Sequence, residues 1–278
     1  MINNQYIDWQ IDKNLKKNFE YKGNNKLAKV LSNKGYKQIE KNYTNIGKKE
    51  ILKILNHSKI FKTKVKGYGI DLGGGAGIIS STIALSKKVK KIYCCEMVEN
   101  AVRYCQPIVK KKILKKNTKK VISVVGDFNK IKLKDNTIDF AIIWDSLHHS
   151  LKPIRTLTEI KRVLKKNSFL FVVDRAHNDE TKNFEIKKML DHVYDKNFKK
   201  RNFFPLNKKI TRRMNGENEY RFRDLKKFFN KSGFKISELK ILCSDKQMRK
   251  NDIGLKEIYI NFDMSGFFKR KVIYALKK

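Results

Sequence analysis

Residues 67–77 run Gly67-Tyr68-Gly69-Ile70-Asp71-Leu72-Gly73-Gly74-Gly75-Ala76-Gly77, and this stretch decides the fold. An apolar lead-in reaches Asp71, the backbone passes through four glycines, and Ile78-Ile79 open a helix. That is the profile of a parallel strand, a tight turn and a helix N-terminus. Glycine serves such a turn by taking backbone angles that side chains forbid and by letting a ligand lie against the main chain. The dinucleotide fingerprint G-x-G-x-x-G fails here, because Gly73 and Gly75 fit but the third position is Ile78. The spacing present is Asp-x-Gly-x-Gly-x-Gly, from Asp71 to Gly77.

Outward from the turn, strand-like runs recur at 67–72, 91–96, 120–125, 138–144 and 168–174, with helical segments between them. The clearest helix covers 153–165, with Pro153 at its start and Ile154, Leu157, Ile160 and Leu164 every three to four residues. Helical periodicity returns from Arg221 to Lys231 and stops at Ser232-Gly233, and two last strands are expected over 234–243 and 269–276. Strands alternating with helices predict an α/β fold, a doubly wound and mostly parallel sheet of seven strands covered on both faces. Residues 1–60 are polar with scattered aromatics. Ile39, Tyr43, Ile51, Leu52 and Leu55 lie at near-helical intervals there, which predicts an N-terminal helical cap. The domain then spans 61–278, with the basic, aromatic-dotted segment 176–220 as an insertion that forms a substrate lid.

The chain has 278 residues, 40% of them hydrophobic and 11% aromatic, which suits a folded globular protein. Its longest apolar runs, such as Phe140 to Trp144, have strand length and not membrane-span length. The first residues lack the basic-then-apolar layout of a secretion signal. Cys94, Cys95, Cys105 and Cys243 show neither C-x-x-C spacing nor companion histidines, so a reduced, cytoplasmic, metal-free protein is expected. Cys94 and Cys95 read as small core residues. The formal net charge is +38, yet lysine rather than arginine carries it and it is spread along the whole chain. Arginine is the residue that forks onto phosphates and base edges. Lysine, asparagine and isoleucine are abundant together, as AT-rich coding produces, so charge alone names no partner.

Three carboxylates fall where parallel strands end: Asp71, Glu96 and Asp127. Ligands of open α/β sheets bind at those ends, where a carboxylate can accept ribose hydroxyls, an adenine amine or an amino group. Taken singly, each acid can equally be a loop residue or a cap. Further motifs follow in order: Gly126-Asp127-Phe128, then 133–141, Asp145-Ser146-Leu147-His148-His149, Leu151-Lys152-Pro153 and 159–165. Together with the glycine turn they resemble the successive motifs of the class I S-adenosylmethionine (SAM) dependent methyltransferases. The likeness is to the type 11 methyltransferase domain, the group that includes the ubiquinone and menaquinone biosynthesis enzymes. It covers roughly residues 66–175. Lys165-Lys166-Asn167 stands where such domains have a proline-glycine turn.

The resemblance implies a Rossmann-like methyltransferase fold and SAM as cofactor. On that basis Gly73, Gly75 and Gly77 let the backbone approach the methionine part, and Asp71 holds the turn and the amino group. Glu96 accepts the ribose hydroxyls, Met97 packs on adenine, Asp127 accepts the adenine amine, and Phe128 supplies the adjacent backbone contact. Asp145 sits beside the methionine moiety and the reacting centre. A general base is needed only for an acceptor protonated in its resting form. His148 and His149 are the candidates, each with the alternative of packing on the sheet or capping a turn.

For the acceptor, the segment 176–220 combines Phe198, Phe203 and Phe204 with Arg201, Arg212 and Arg213, and Tyr220 closes it. This suits a pocket for a small molecule, including an anionic one bearing a carboxylate or phosphate. The plainer alternative is a lid whose aromatics only pack. An RNA methyltransferase acting on ribose or a ring nitrogen is the rival, supported by charge. The Asp/Asn-Pro-Pro-aromatic motif of exocyclic-amine enzymes and the Pro-Cys or Thr-Cys of RNA cytosine enzymes are both missing. A non-catalytic SAM-fold protein is disfavoured by intact motifs, and an NAD-dependent oxidoreductase by Ile78.

Overall fold

The strand runs join into one sheet in a computed structural model of the protein, which describes residues 6–243, 259–261 and 271–278. The long strands are β2 (Gly67–Leu72), β3 (Val89–Glu96), β4 (Val121–Val125), β5 (Ile138–Trp144), β6 (Leu164–Arg175), β7 (Lys235–Cys243) and β9 (Lys271–Lys277). Two short edge strands, β1 (Ile7–Asp8) and β8 (Tyr259–Asn261), bring the described sheet to nine, in the order β1-β4-β3-β2-β5-β6-β9-β7-β8. Both edge strands are too short to leave an alternating pattern in the sequence. All pairings are parallel except those of β9, which runs antiparallel to β6 and β7. Residues 269 and 270 of the expected last strand lie outside the described residues.

Period-two alternation puts apolar side chains on both faces of the central strands. Phe140, Ile142, Phe171 and Val173 join one core with residues of α3 (Lys48–Asn56), α5 (Ile78–Ile83) and α6 (Gln106–Leu114). Their neighbours Ala141, Ile143, Leu170 and Val172 join the other, covered by α7 (Pro153–Val163) and α10 (Phe222–Lys231). The sheet is therefore dry on both sides, as a parallel sheet must be.

Several boundaries differ from expectation. The helix 153–165 stops at Val163, because Leu164 turns extended and pairs with Ile138. β6 accordingly begins at Leu164 and accommodates Asn167 at φ +61°. The helical run 37–56 is two helices, α2 (Tyr36–Tyr43) and α3, separated by a turn with Asn45 at φ +51°. The N-terminal region is also not purely helical. Ahead of α1 (Phe19–Lys34), β1 pairs with β4, and Trp9 donates its backbone N–H to Val125 (2.8 Å) and buries its ring against Tyr93. The remaining N-terminal helix is α4 (Lys59–Lys64). Its first turn donates to Glu238 of β7 through Lys59 and Ile60 N–H, and Ser58 Oγ donates to the same carboxylate at 2.6 Å.

The segment 176–220 carries α8 (Asn183–Leu190) and α9 (Lys196–Arg201). It packs on α1 at Gly23, where any Cβ would run into the Phe204 ring and the Asn202 carbonyl. At the centre of the sheet Gly69 of β2 pairs with Phe140 of β5, and the Phe140 ring lies where a Gly69 side chain would go. Gly69→Ala should therefore cost about 1–3 kcal/mol in urea unfolding. Phe140→Leu should relieve part of that cost in the double variant, and strictly additive effects would contradict this packing.

Candidate active site

From β2 the chain builds β3 and β4 to one side, then returns to build β5 and β6 on the other. The strand order thus reverses between β2 and β5, which opens a crevice at their carboxyl ends. A cavity of about 430 Å³ lies there. Asp71, Gly73, Gly75, Glu96, Met97, Asp127, Phe128, Asp145 and His149 line it, whereas Gly77 and His148 do not.

The glycine turn is held in the left-handed region, at φ +71° for Gly73, +51° for Gly75 and +80° for Gly77. Side chains are strained at these angles. Protein atoms also fill the directions that side chains would take. A Cβ on Gly73 would lie 2.6 Å from Ser146 Oγ, and one on Gly75 would lie 2.8 Å from the Tyr43 ring. The glycines are thus required first by the turn's own packing, while its main chain faces the cavity. Gly77 is the N-cap of α5 and serves the turn, not the wall.

Glu96, the last residue of β3, grips this turn. Its Oε2 accepts from Gly75 N–H at 2.9 Å and its Oε1 from Val98 N–H at 2.8 Å. Burial pushes the Glu96 carboxyl up, and these backbone donors pull it back down. Asp71 is fully buried. Its Oδ2 accepts from Ser80 Oγ at 2.6 Å, and its Oδ1 has no hydrogen-bond partner among the described residues. Desolvation is the main cause that pushes this carboxyl up to about 7, with the Ser80 bond opposing and Glu96 adding to it. Asp127 Oδ1 accepts from the backbone and side-chain nitrogens of Asn129 at 2.8 and 2.9 Å, which shapes the turn after β4. Asp145 follows β5 at φ +51°, is exposed, and donates its N–H to Val173 at 2.7 Å.

The two histidines have different fates. His148 is buried and its Nδ1 lies 2.7 Å from Asp174 Oδ1, while its Nε2 meets the Arg175 guanidinium. A guanidinium only donates, so Nε2 accepts and the proton sits on Nδ1. Both ring nitrogens are engaged away from the cavity, which removes His148 as a base. His149 faces the cavity, its Nδ1 3.0 Å from Oε1 of Glu20 on α1. Cys94 and Cys95 are core residues whose thiols burial raises well above their ordinary range.

The arginine-lined pocket expected from 176–220 does not form. Arg212 is spent on Glu219 (2.5 Å) and Glu217 (3.2 Å), and Arg213 pairs with Asp191 at the surface. Phe198 stacks on Tyr194 and Phe204 packs tilted against both, in a small cluster of their own. From this segment Asn202 and Gly216 reach the cavity. Nor does any Lys or Arg line it among the described residues, although Glu20, Asp71, Glu96, Asp127 and Asp145 all do. Among the described residues two groups of possible metal donors occur, His148 with His149 and Glu217, and Asp145 with His148 and Asp174. Arg175, in contact with His148 and Glu217 and 3.6 Å from Asp145, already places a positive charge among them.

Sequence reasoning missed Glu20, Tyr43 and the Asp174–Arg175–Glu217 network. Each acts through a contact between distant segments, and no spacing within one segment signals it. The nearest local cue is Asn18, whose side chain caps α1 by accepting from Tyr21 N–H at 2.8 Å and so fixes the turn that carries Glu20.

Residues 70–172 match the family described as a methyltransferase domain, Methyltransf_11. No curated protein matches the sequence significantly. Among solved structures, a SAM-dependent methyltransferase from Leishmania major is similar at TM-score 0.56 and 12% identity, over 92% of this chain and 82% of that one. One from Thermotoga maritima is similar at TM-score 0.50 and 19% identity, over 91% and 99%. The cyclase SpnF matches at TM-score 0.56 and 14% identity, over 83% and 81%. Likeness at these identities establishes the fold, and one fold serves several chemistries. The residues present fit the cofactor of the matched domain: an orphaned buried carboxylate oxygen on Asp71 and an acidic wall suit a ligand with cationic groups. Residues 70–172 of this chain match a methyltransferase domain, an enzyme domain whose methyl donor is SAM.

Proposed function

We propose that the cavity at the β2 and β5 ends binds SAM and that the protein methylates a small-molecule acceptor. The observation that carries this reading is the cavity wall, which has five carboxylates and, among the described residues, neither lysine nor arginine. In a chain of net charge +38 that is a selective exclusion of cations. SAM supplies a methyl group already activated on sulfur, so alignment and exclusion of water remain for the protein. Glu96 keeps lone pairs for ribose hydroxyls while its backbone bonds hold the turn. Asp71 Oδ1 offers an acceptor to a cationic or N–H group. Met97 and Phe128 give apolar walls, Asp127 an acceptor beside them, and Asp145 a carboxylate at the mouth.

The rival acceptor is RNA, favoured by net charge alone. Phosphodiester binding needs cations at the site, and among the described residues the cavity wall has neither lysine nor arginine. Salt separates the two. A small acceptor should lose less than tenfold in S-adenosylhomocysteine release between about 50 and 200 mM salt, whereas an RNA tract loses on the order of a thousandfold. A steep loss, or release only with bulk RNA present, would sink the small-molecule reading.

Glu96→Ala should weaken SAM at least tenfold in calorimetry, since it removes charge-assisted bonds worth roughly 1.5–3 kcal/mol each and frees the Gly75 and Val98 N–H groups. An unchanged dissociation constant would take Glu96 out of the site.

Asp71 gives the pH signature. Between its ordinary value of 3.8 and about 7, the folded protein holds a proton that the unfolded chain has released. The stability this proton confers is complete below the ordinary carboxylate range and is lost as pH rises through about 7. Without ligand, the melting temperature should fall across that window, and Asp71→Asn should flatten the fall. SAM affinity should move oppositely, rising with pH as Asp71 ionises. Identical pH profiles in the two proteins would contradict the assignment.

A further inference from the structure

Away from the glycine turn, the cavity is walled by Asn18, Glu20 and Asn24 of the α1 entry, by His149, and by Asn202 and Gly216 from the 176–220 segment. All but His149 lie outside the matched domain, in the part of the chain free to suit an acceptor. Glu20 is the one carboxylate here that the strand ends do not supply. It is 8% exposed and stands 3.0 Å from His149 Nδ1, an ion-pair contact whose angle is not that of a hydrogen bond. Its position is built in. Gly216, at φ +77°, passes so close that a Cβ there would lie 2.6 Å from Glu20 Oε2.

Building on the SAM reading, we propose that the acceptor is an amine, and that His149, positioned by Glu20, takes the proton from its ammonium form. The ammonium N–H bond breaks, its electron pair stays on nitrogen as the lone pair, and the proton bonds to the imidazole nitrogen not facing Glu20. The imidazolium that results is offset by the Glu20 carboxylate, as a base with an orienting acid requires. The neutral amine is then the nucleophile for the activated methyl. A carboxylate, phosphate or phenolate acceptor would meet five carboxylates and, among the described residues, no lysine or arginine. An ammonium ion is attracted by the same wall, and it cannot react until it loses a proton, so it needs the base that this wall contains.

The groups facing His149 are Glu20 from α1, Glu217 from the 176–220 segment, and the His148 ring at 4.1 Å on its own turn. Glu217 is itself held below the ordinary carboxylate range, its burial outweighed chiefly by Arg175, with Arg212 adding to it.

The test uses the full chain saturated with S-adenosylhomocysteine and three probes of matched size: phenethylamine, 2-phenylethanol and 3-phenylpropanoate. Phenethylamine should bind at least tenfold more tightly than either of the others. Equal binding of the alcohol or the acid, or no binding of the amine, overturns the proposal without any variant being needed. Binding of S-adenosylhomocysteine, measured first, keeps the two readings apart. Its absence refutes the cofactor site, whereas its presence with amine failure refutes the present inference alone. NMR titration of the five histidines then tests the pair, with His149 assigned by His149→Gln. Glu20→Gln removes a carboxylate partner, so the His149 pKa should fall by about one unit or more. An unmoved His149 pKa would reduce Glu20 to a structural residue.

Discussion

The site depends on one carboxylate that holds two chain segments at once. Glu96 ends β3 and accepts Gly75 N–H with one oxygen and Val98 N–H with the other. The glycine turn after β2 and the exit from β3 are thereby locked side by side. Around this lock the turn keeps its three left-handed glycines, Tyr43 fills the space beside Gly75, and Ser146 fills the space beside Gly73 while donating to the Leu72 carbonyl at 2.8 Å. A buried carboxylate is costly unless hydrogen-bonded, and here the required donors come from the turn itself. Fold and site are therefore stabilised by the same bonds.

Much of this was legible in the residues. Strands buried on both faces announce themselves as short β-branched and aromatic runs, so β2, β4 and β5 fall where the pattern put them, and the acids Asp71, Glu96 and Asp127 meet in one cavity. What the residues did not disclose are choices made between distant segments. His148 and His149 are adjacent and chemically equal in sequence. Asp174 and Arg175 at the end of β6 draw His148 inward, while Glu20 on α1 meets His149 at the cavity. Likewise Arg212 suited an anion until Glu217 and Glu219, a few residues on, were found to neutralise it. Motif residues such as Arg162 proved architectural, since it donates to the Leu133 and Ile131 carbonyls and pins the loop before β5.

Charge distribution connects the scaffold with its use. The lysine-rich exterior sets a strongly positive chain, yet the cavity gathers carboxylates from five separate elements or turns. Burial raises Asp71, Glu96 and Glu20, a cost that backbone donors or a cationic ligand offsets. Ligand binding and proton release are linked through Asp71, whose buried carboxyl is held up at about 7.

Hydrogen exchange followed by mass spectrometry, with and without saturating SAM, addresses the central claim most directly. The account predicts slowed amide exchange over residues 72–77, 96–98 and 126–129, with α10 and β7 unchanged. Protection confined to other segments, or none at a SAM concentration well above the micromolar range, would contradict the cavity as the cofactor site.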